Sequence, residues 1–113
     1  MKKNSKVYLI DILQAAADIQ TYTISAKRED LFVDRMLQDA VIRKFTVIGE
    51  AAKRLPLFFK KREKKVPWKK ITGLRDIVVH DYSDIDLDVL WETIKQDLPE
   101  LVQAIQRMIK ELK

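Results

Sequence analysis

Cysteine is absent from the 113 residues, and the other residues that punctuate or activate a chain are scarce: two glycines, three prolines and one histidine. Without cysteine the chain has no disulfide, no thiolate nucleophile and no thiolate metal site. So few turn-forming residues disfavour a protein built from β-hairpins and favour an all-helical one. No apolar run approaches the roughly 20 residues that a membrane-spanning helix needs.

The composition is that of a soluble domain, with 47% hydrophobic and 35% charged residues. This length is enough for one hydrophobic core and too short for two, so residues 1–113 are expected to form a single domain. The basic start is followed by a segment that Asp11 and Asp18 interrupt, which disfavours a secretion signal. We therefore expect a cytoplasmic protein without a membrane segment.

Apolar residues recur at three- and four-residue spacing along the first half of the chain, which predicts two amphipathic helices. The first covers about residues 6–25. The second covers about residues 31–55 and ends where Pro56 disfavours helical geometry. A basic loop is expected after it. The apolar stripe of the second helix consists of Val33, Leu37, Ala40, Val41, Phe45, Ile48, Ala52 and Leu55.

The second half predicts two or three further helices. One starts at the Pro67-Trp68 pair and runs to about residue 79, with a possible break at Gly73. Asp84 or Asp86 is a candidate N-cap for the last segment, which Pro99 should kink or divide. The expected fold is thus all-α, an antiparallel bundle of four to five helices.

Charge is segregated along the chain. Residues 53–75 carry a local charge of +9, residues 76–100 carry −7, and the two blocks meet between Arg75 and Asp76. The basic block is either a solvated loop or a rim that attracts RNA phosphates with salt-dependent affinity. The residues predicted to bind RNA in the second case are Lys60, Lys61, Arg62, Lys64, Lys65, Lys69 and Lys70.

His80 is the one histidine of the chain, so proton transfer near neutral pH must use it or do without an unperturbed group of suitable pKa. A lone histidine is more often structural than catalytic. Arg75, five residues earlier, strengthens the catalytic interpretation, because an imidazole can take the proton of a ribose 2′-hydroxyl while a guanidinium holds the phosphate. Asp76, one turn before His80, is suited to orient the imidazole or simply to balance charge.

On an ideal α-helix Arg75 and His80 lie about 140° apart, so one regular helix does not direct both at one phosphate. Either the helix ends near His80, or a symmetry-related copy completes the site with a second arginine and histidine. We favour the second arrangement, which makes the protein a homodimer.

Two residues of the second helix stand out. Gly49 inside a helix costs about 1 kcal/mol relative to alanine, which indicates a close helix crossing. Glu50 either contacts Arg75 or pairs with Lys53 or Arg54 on the surface, and we favour the surface pairing.

Trp68 and Trp91 lie in apolar stripes and are expected in the core, although either is able to stack on a base. Asp76, His80 and Asp81 together make a poor ligand set, so no metal site is predicted.

The pattern Arg-x-x-x-x-His-x-Tyr, formed by Arg75, His80 and Tyr82, resembles the signature of HepT-like toxins of the HEPN superfamily. The helical stretch Ile48-Gly49-Glu50-Ala51 resembles that family's second helix. The approach through Val66-Pro67-Trp68 and residues 71–75 is similar as well, so the likeness spans most of the chain.

The resemblance implies a homodimeric helical bundle that cuts RNA without a cofactor or metal in a cleft at its interface, with Arg75 and His80 as catalytic residues. It also implies a nucleotidyltransferase antitoxin of the MNT type as partner, which neutralises the toxin by adding AMP to Tyr82. The alternative is a non-catalytic helical module that binds nucleotide or RNA, or docks the antitoxin.

Overall fold

Helices form all the regular structure of the residues that the computed structural model describes, 5–77 and 86–112, so the predicted all-helical bundle is confirmed. None of these helices is both long and apolar enough to cross a lipid bilayer. The elements are α1 (Ser5–Thr23), α2 (Arg28–Val33), α3 (Arg35–Arg54), α4 (Leu57–Arg62), α5 (Trp68–Gly73), a 3₁₀ turn (Leu74–Ile77), α6 (Leu87–Glu92), a π-helical turn (Thr93–Asp97) and α7 (Leu98–Leu112).

The core lies between three long helices, because α1 packs against both α3 and α7. α1 and α3 are antiparallel: Asp18 near the end of α1 binds Lys44 in the middle of α3, while Tyr8 near its start lies beside Arg54. Most apolar residues that recur at helical spacing in the predicted helices are buried. These include Leu9, Ile12 and Ile19 of α1, Val41, Phe45 and Ile48 of α3, and Leu98, Leu101 and Ile105 of α7.

The predicted second helix is in fact two helices, α2 and α3, separated at Asp34. Asp34 has an extended backbone, and its carboxylate accepts a hydrogen bond from the amide of Leu37 at 3.1 Å, which caps α3. The break separates Val33 from the rest of the stripe, and Val33 is 79% exposed although the stripe predicts it in the core.

The predicted basic loop after Pro56 contains a short helix, α4, which Phe59 anchors by its burial. Glu63 follows α4, and its carboxylate accepts two hydrogen bonds from Arg107 of α7, at 2.7 and 3.3 Å. The indole N–H of Trp68 donates to the backbone carbonyl of Glu63 at 3.0 Å. The single acid of the basic block therefore attaches this segment to α7.

The last segment follows its predicted signals. Asp86 caps α6 by accepting hydrogen bonds from the amides of Asp88 and Val89, and Asp84 lies outside the described residues. Pro99 divides the segment, as predicted, but through a π-helical turn that precedes it. The predicted third helix also begins as expected after Pro67, and its α-helical part ends at Gly73.

Replacing Asp34 by alanine should lower the free energy of unfolding by about 1 kcal/mol, because the first turn of α3 loses its cap. Thermal or urea denaturation at fixed protein concentration measures this. Asp39→Ala removes an equal charge from an exposed position inside α3 and serves as the control. Equal effects of the two substitutions would show that charge, and not the cap, is responsible.

Candidate active site

Arg75 lies in the 3₁₀ turn that follows α5, with its side chain 32% exposed. The α-helix ends at Gly73, where the sequence predicts a possible break, so Arg75 does not lie on a regular α-helix. Angles taken from an ideal α-helix therefore do not apply at Arg75. His80, Asp81 and Tyr82 lie outside the described residues.

The backbone of Arg75 packs directly against α3 at Gly49. A Cβ atom added to Gly49 would lie 2.5 Å from the backbone nitrogen of Arg75 and 3.1 Å from its Cβ. A distance of 2.5 Å to a backbone atom is far inside van der Waals contact, so position 49 admits only glycine without movement of the turn. The close crossing predicted for Gly49 is confirmed, and the element that crosses α3 is the turn carrying Arg75.

Glu50, the next residue of α3, binds the side chain of Arg75. The Nε of Arg75 donates to a carboxylate oxygen of Glu50 at 3.2 Å. The predicted surface pairing of Glu50 with Lys53 or Arg54 is therefore wrong. Both side chains are partly exposed, so the ion pair contributes no more than about 1 kcal/mol to stability. Its physical effect is to orient the guanidinium, whose Nη donors are not used in this bond.

An open depression of about 290 Å³ lies beside Arg75. α3 contributes Lys53 to it, α4 contributes Lys60, and α5 with the following turn contributes the remaining wall. Six of the described residues line it: Lys53, Lys60, Thr72, Gly73, Arg75 and Asp76. Three cations and one carboxylate give the lining a net charge of +2.

The seven residues predicted to bind RNA differ in what surrounds them. Arg62 pairs with Glu111 at 2.6 Å and Lys70 pairs with Asp97 at 2.6 Å, so these two cations help to attach their helices to the bundle. Lys60 alone of the seven lines the depression, and burial lowers the pKa of its amine below the ordinary value. The remaining predicted residues, Lys61, Lys64, Lys65 and Lys69, are exposed.

Sequence reasoning missed Lys53 as a site residue. It lies three positions after Glu50 on α3, and residues three apart share a helix face. Since Glu50 binds Arg75, the same face brings Lys53 to the depression. The three-residue spacing of Glu50 and Lys53 is visible in the sequence. It points to the depression only once Glu50 is known to bind Arg75.

Asp76, the predicted supporting residue, is exposed and lines the depression beside Arg75. Within residues 5–77 and 86–112 no three histidine, aspartate or glutamate side chains are grouped as metal ligands. The two tryptophans pack against the core as predicted, although both stay half-buried. Neither Trp68 nor Trp91 lines the depression.

Comparison with known proteins gives consistent matches over almost the whole chain. The family model described as ribonuclease HepT-like matches residues 12–108. A Thermococcus cleftensis protein, named as a candidate ribonuclease HepT, is 38% identical over 97% of this chain and the whole of its own length. A protein of Caldanaerobacter subterraneus, named as a candidate RNase, is 35% identical over 98% of this chain and 99% of its own.

A Methanocaldococcus jannaschii protein is longer. It is 40% identical over 99% of this chain, which spans 50% of that protein. Its name combines a gamma-glutamylcyclotransferase with a candidate RNase. No solved structure gives a significant match.

Gly49→Ala should destabilise the protein, although the same change in an open helix would stabilise it by about 1 kcal/mol. The added methyl group meets a backbone atom, and relieving such overpacking costs about 1–3 kcal/mol. Gly73→Ala is the control, since an added Cβ there meets nothing within 4 Å. Denaturation of both variants measures the difference, and a Gly49→Ala protein as stable as the wild type would contradict the close crossing.

Proposed function

Because this chain belongs to the HepT-like ribonuclease family, we propose that it is a metal-independent endoribonuclease whose catalytic residues are Arg75 and His80. The observation that carries the proposal is the fixed position of Arg75. Its backbone is held against Gly49 and its side chain is held by Glu50, at the edge of a cationic depression. A guanidinium oriented in this way is suited to a phosphate, because the planar fork needs little reorganisation to bind two oxygens.

The proposed reaction is attack by a ribose 2′-hydroxyl on the adjacent phosphorus. The neutral imidazole of His80 takes the hydroxyl proton, the new O2′–P bond forms, and the P–O5′ bond breaks. The leaving O5′ oxygen takes a proton, and the products are a 2′,3′-cyclic phosphate and a 5′-hydroxyl. Arg75 stabilises the negative charge that builds on the non-bridging oxygens. Glu50 is a positioning residue, since it acts through Arg75.

We place this site at the interface of a homodimer. One imidazole begins the reaction as a base, and a proton donor is needed at the leaving oxygen at the same time. A second copy of the chain, related by a two-fold axis, supplies another Arg75 and another His80 for this purpose. The partly exposed position of Arg75 at the edge of an open depression is compatible with such an interface.

We further propose that the protein is the toxin of a toxin–antitoxin pair. Its partner is a nucleotidyltransferase antitoxin of the MNT type, which attaches AMP to the hydroxyl of Tyr82 with release of pyrophosphate from ATP. Tyr82 stands two residues from His80 in the sequence. Each AMP adds bulk and a negative charge, and both oppose the entry of RNA phosphates.

The purified dimer should cleave RNA in the presence of EDTA and leave 2′,3′-cyclic phosphate ends. Arg75→Ala and His80→Ala should each lower the rate by about a hundredfold or more, since they remove charge stabilisation and proton transfer. RNA carrying a 2′-O-methyl group at every ribose should stay intact. Gel electrophoresis of end-labelled RNA and end-group analysis measure these outcomes.

Glu50→Gln separates positioning from binding, because it keeps the shape of the side chain and removes the charge that holds Arg75. It should lower kcat by roughly tenfold or more and change KM much less. Asp39→Asn, a matched change elsewhere on α3, should leave both constants unchanged. Intact RNA after incubation with pure, unmodified protein would overturn the nuclease proposal and favour the non-catalytic binding module.

Incubation with ATP and the nucleotidyltransferase should add adenylyl groups to Tyr82, and peptide mass spectrometry locates them. The modified protein should lose RNA cleavage. Tyr82→Phe should stay unmodified and remain active in the presence of the antitoxin. Modification confined to Tyr8 or Tyr22 would refute the assignment.

A further inference from the structure

The basic block of the sequence is divided by the fold into two groups with different surroundings. Arg62 and Lys70 are bound to carboxylates of the bundle. Lys53 and Lys60 have no carboxylate bound to them among the described residues, and both line the depression beside Arg75. Two cations without bound counter-charge in one depression favour an anion there.

The half-buried position of Lys60 also favours an anion in the depression. Burial without a bound opposite charge makes its ammonium costly, which is why the pKa of the amine lies below its ordinary value. Lys60 lines the depression together with Lys53 and Arg75, which are also cationic. An anion bound in the depression would supply the missing opposite charge and relieve this cost.

The lining also indicates which part of an RNA strand fits. Among the described residues, the lining has no aromatic side chain on which a base can stack, and its polar groups are ammonium, guanidinium, hydroxyl and carboxylate. A volume of about 290 Å³ is at the lower limit of ligand pockets, which suits a phosphate with its ribose better than a whole nucleotide. The exposed Gly73 adds no side chain to the wall, and a Cβ added there would meet no described atom within 4 Å.

We infer that the depression is a second phosphate-binding subsite, in which Lys53 and Lys60 hold the RNA phosphodiester next to the one that Arg75 serves. The inference rests on the proposed ribonuclease function and adds the residues that position the strand for it. Arg75 forms the boundary between the two subsites. Because the lining contacts the backbone and not the bases, the subsite contributes affinity without sequence preference.

The salt dependence of binding tests the subsite. A fluorescent RNA with 2′-O-methyl groups at every ribose cannot be cut by 2′-hydroxyl attack, so its anisotropy reports binding alone over a series of KCl concentrations. Each contact between a lysine and a phosphate contributes about 0.7 to the slope of log K against log salt for a single strand. The double variant K53Q/K60Q should lower the slope by about 1.4 and weaken binding by tenfold or more.

The matched control is K61Q/K64Q. It removes the same charge from exposed positions that belong to the basic block but lie outside the depression. It should change the slope by well under half as much. K53R/K60R keeps the charges and should retain the slope. Equal effects of the two glutamine pairs would overturn the subsite, since binding would then be spread over the whole segment.

Chemical protection gives a second measurement that needs no variant. Limited acetylation of the wild-type protein, followed by peptide mass spectrometry, should show that the 2′-O-methyl RNA protects Lys53 and Lys60 and leaves Lys61 and Lys64 reactive. Protection of all four alike would contradict the subsite.

Failure of the subsite and failure of the proposed function are distinguishable. If wild-type protein cuts natural RNA while K53Q/K60Q binds like the wild type, the nuclease stands and the subsite falls. If protection and slope agree with the subsite while natural RNA stays intact, the subsite stands and the nuclease proposal falls.

Discussion

The position of Arg75 depends on one close contact between main chains, that of its amide nitrogen with the face of α3 at Gly49. A helix normally keeps other backbone atoms away by the side chains around it, and an approach this close requires a position without a Cβ. Gly49 provides it inside α3, the longest described helix, next to the buried Ile48. Packing against α3 thereby holds in place a short 3₁₀ turn that would have little stability of its own.

The contact with Gly49 also explains why Glu50 and Lys53 serve the same region. Once the backbone of Arg75 is fixed over Gly49, the adjacent Glu50 is within reach of its guanidinium, and Lys53 follows three residues later on the same side of α3. The ion pair is too exposed to contribute much stability. Its consequence is geometric, because it limits the orientations of a side chain that would otherwise rotate freely in solvent.

The basic block illustrates how one sequence feature has two physical outcomes. Arg62 and Lys70 are bound to carboxylates and help to hold the short helices against the long ones, whereas Lys53 and Lys60 converge on an open depression. The lone acid of the block, Glu63, is half-buried and attaches the segment to α7 through Arg107. Charge counts along the sequence therefore show that cations are concentrated, but not which of them are available to a ligand.

Local signals determined much of this fold from the sequence alone. Helical periodicity, Pro56, Pro67, Gly73, Asp86 and Pro99 act within a few residues, so the all-helical bundle and most of its core were predictable. The break at Asp34 and the helix α4 were missed, since a cap and a short helix compete weakly with a long apolar stripe. Only the tertiary structure decided what crosses Gly49, which partner Glu50 binds and which lysines converge with Arg75. These contacts join residues 15 to 26 positions apart, and such contacts depend on how the helices pack.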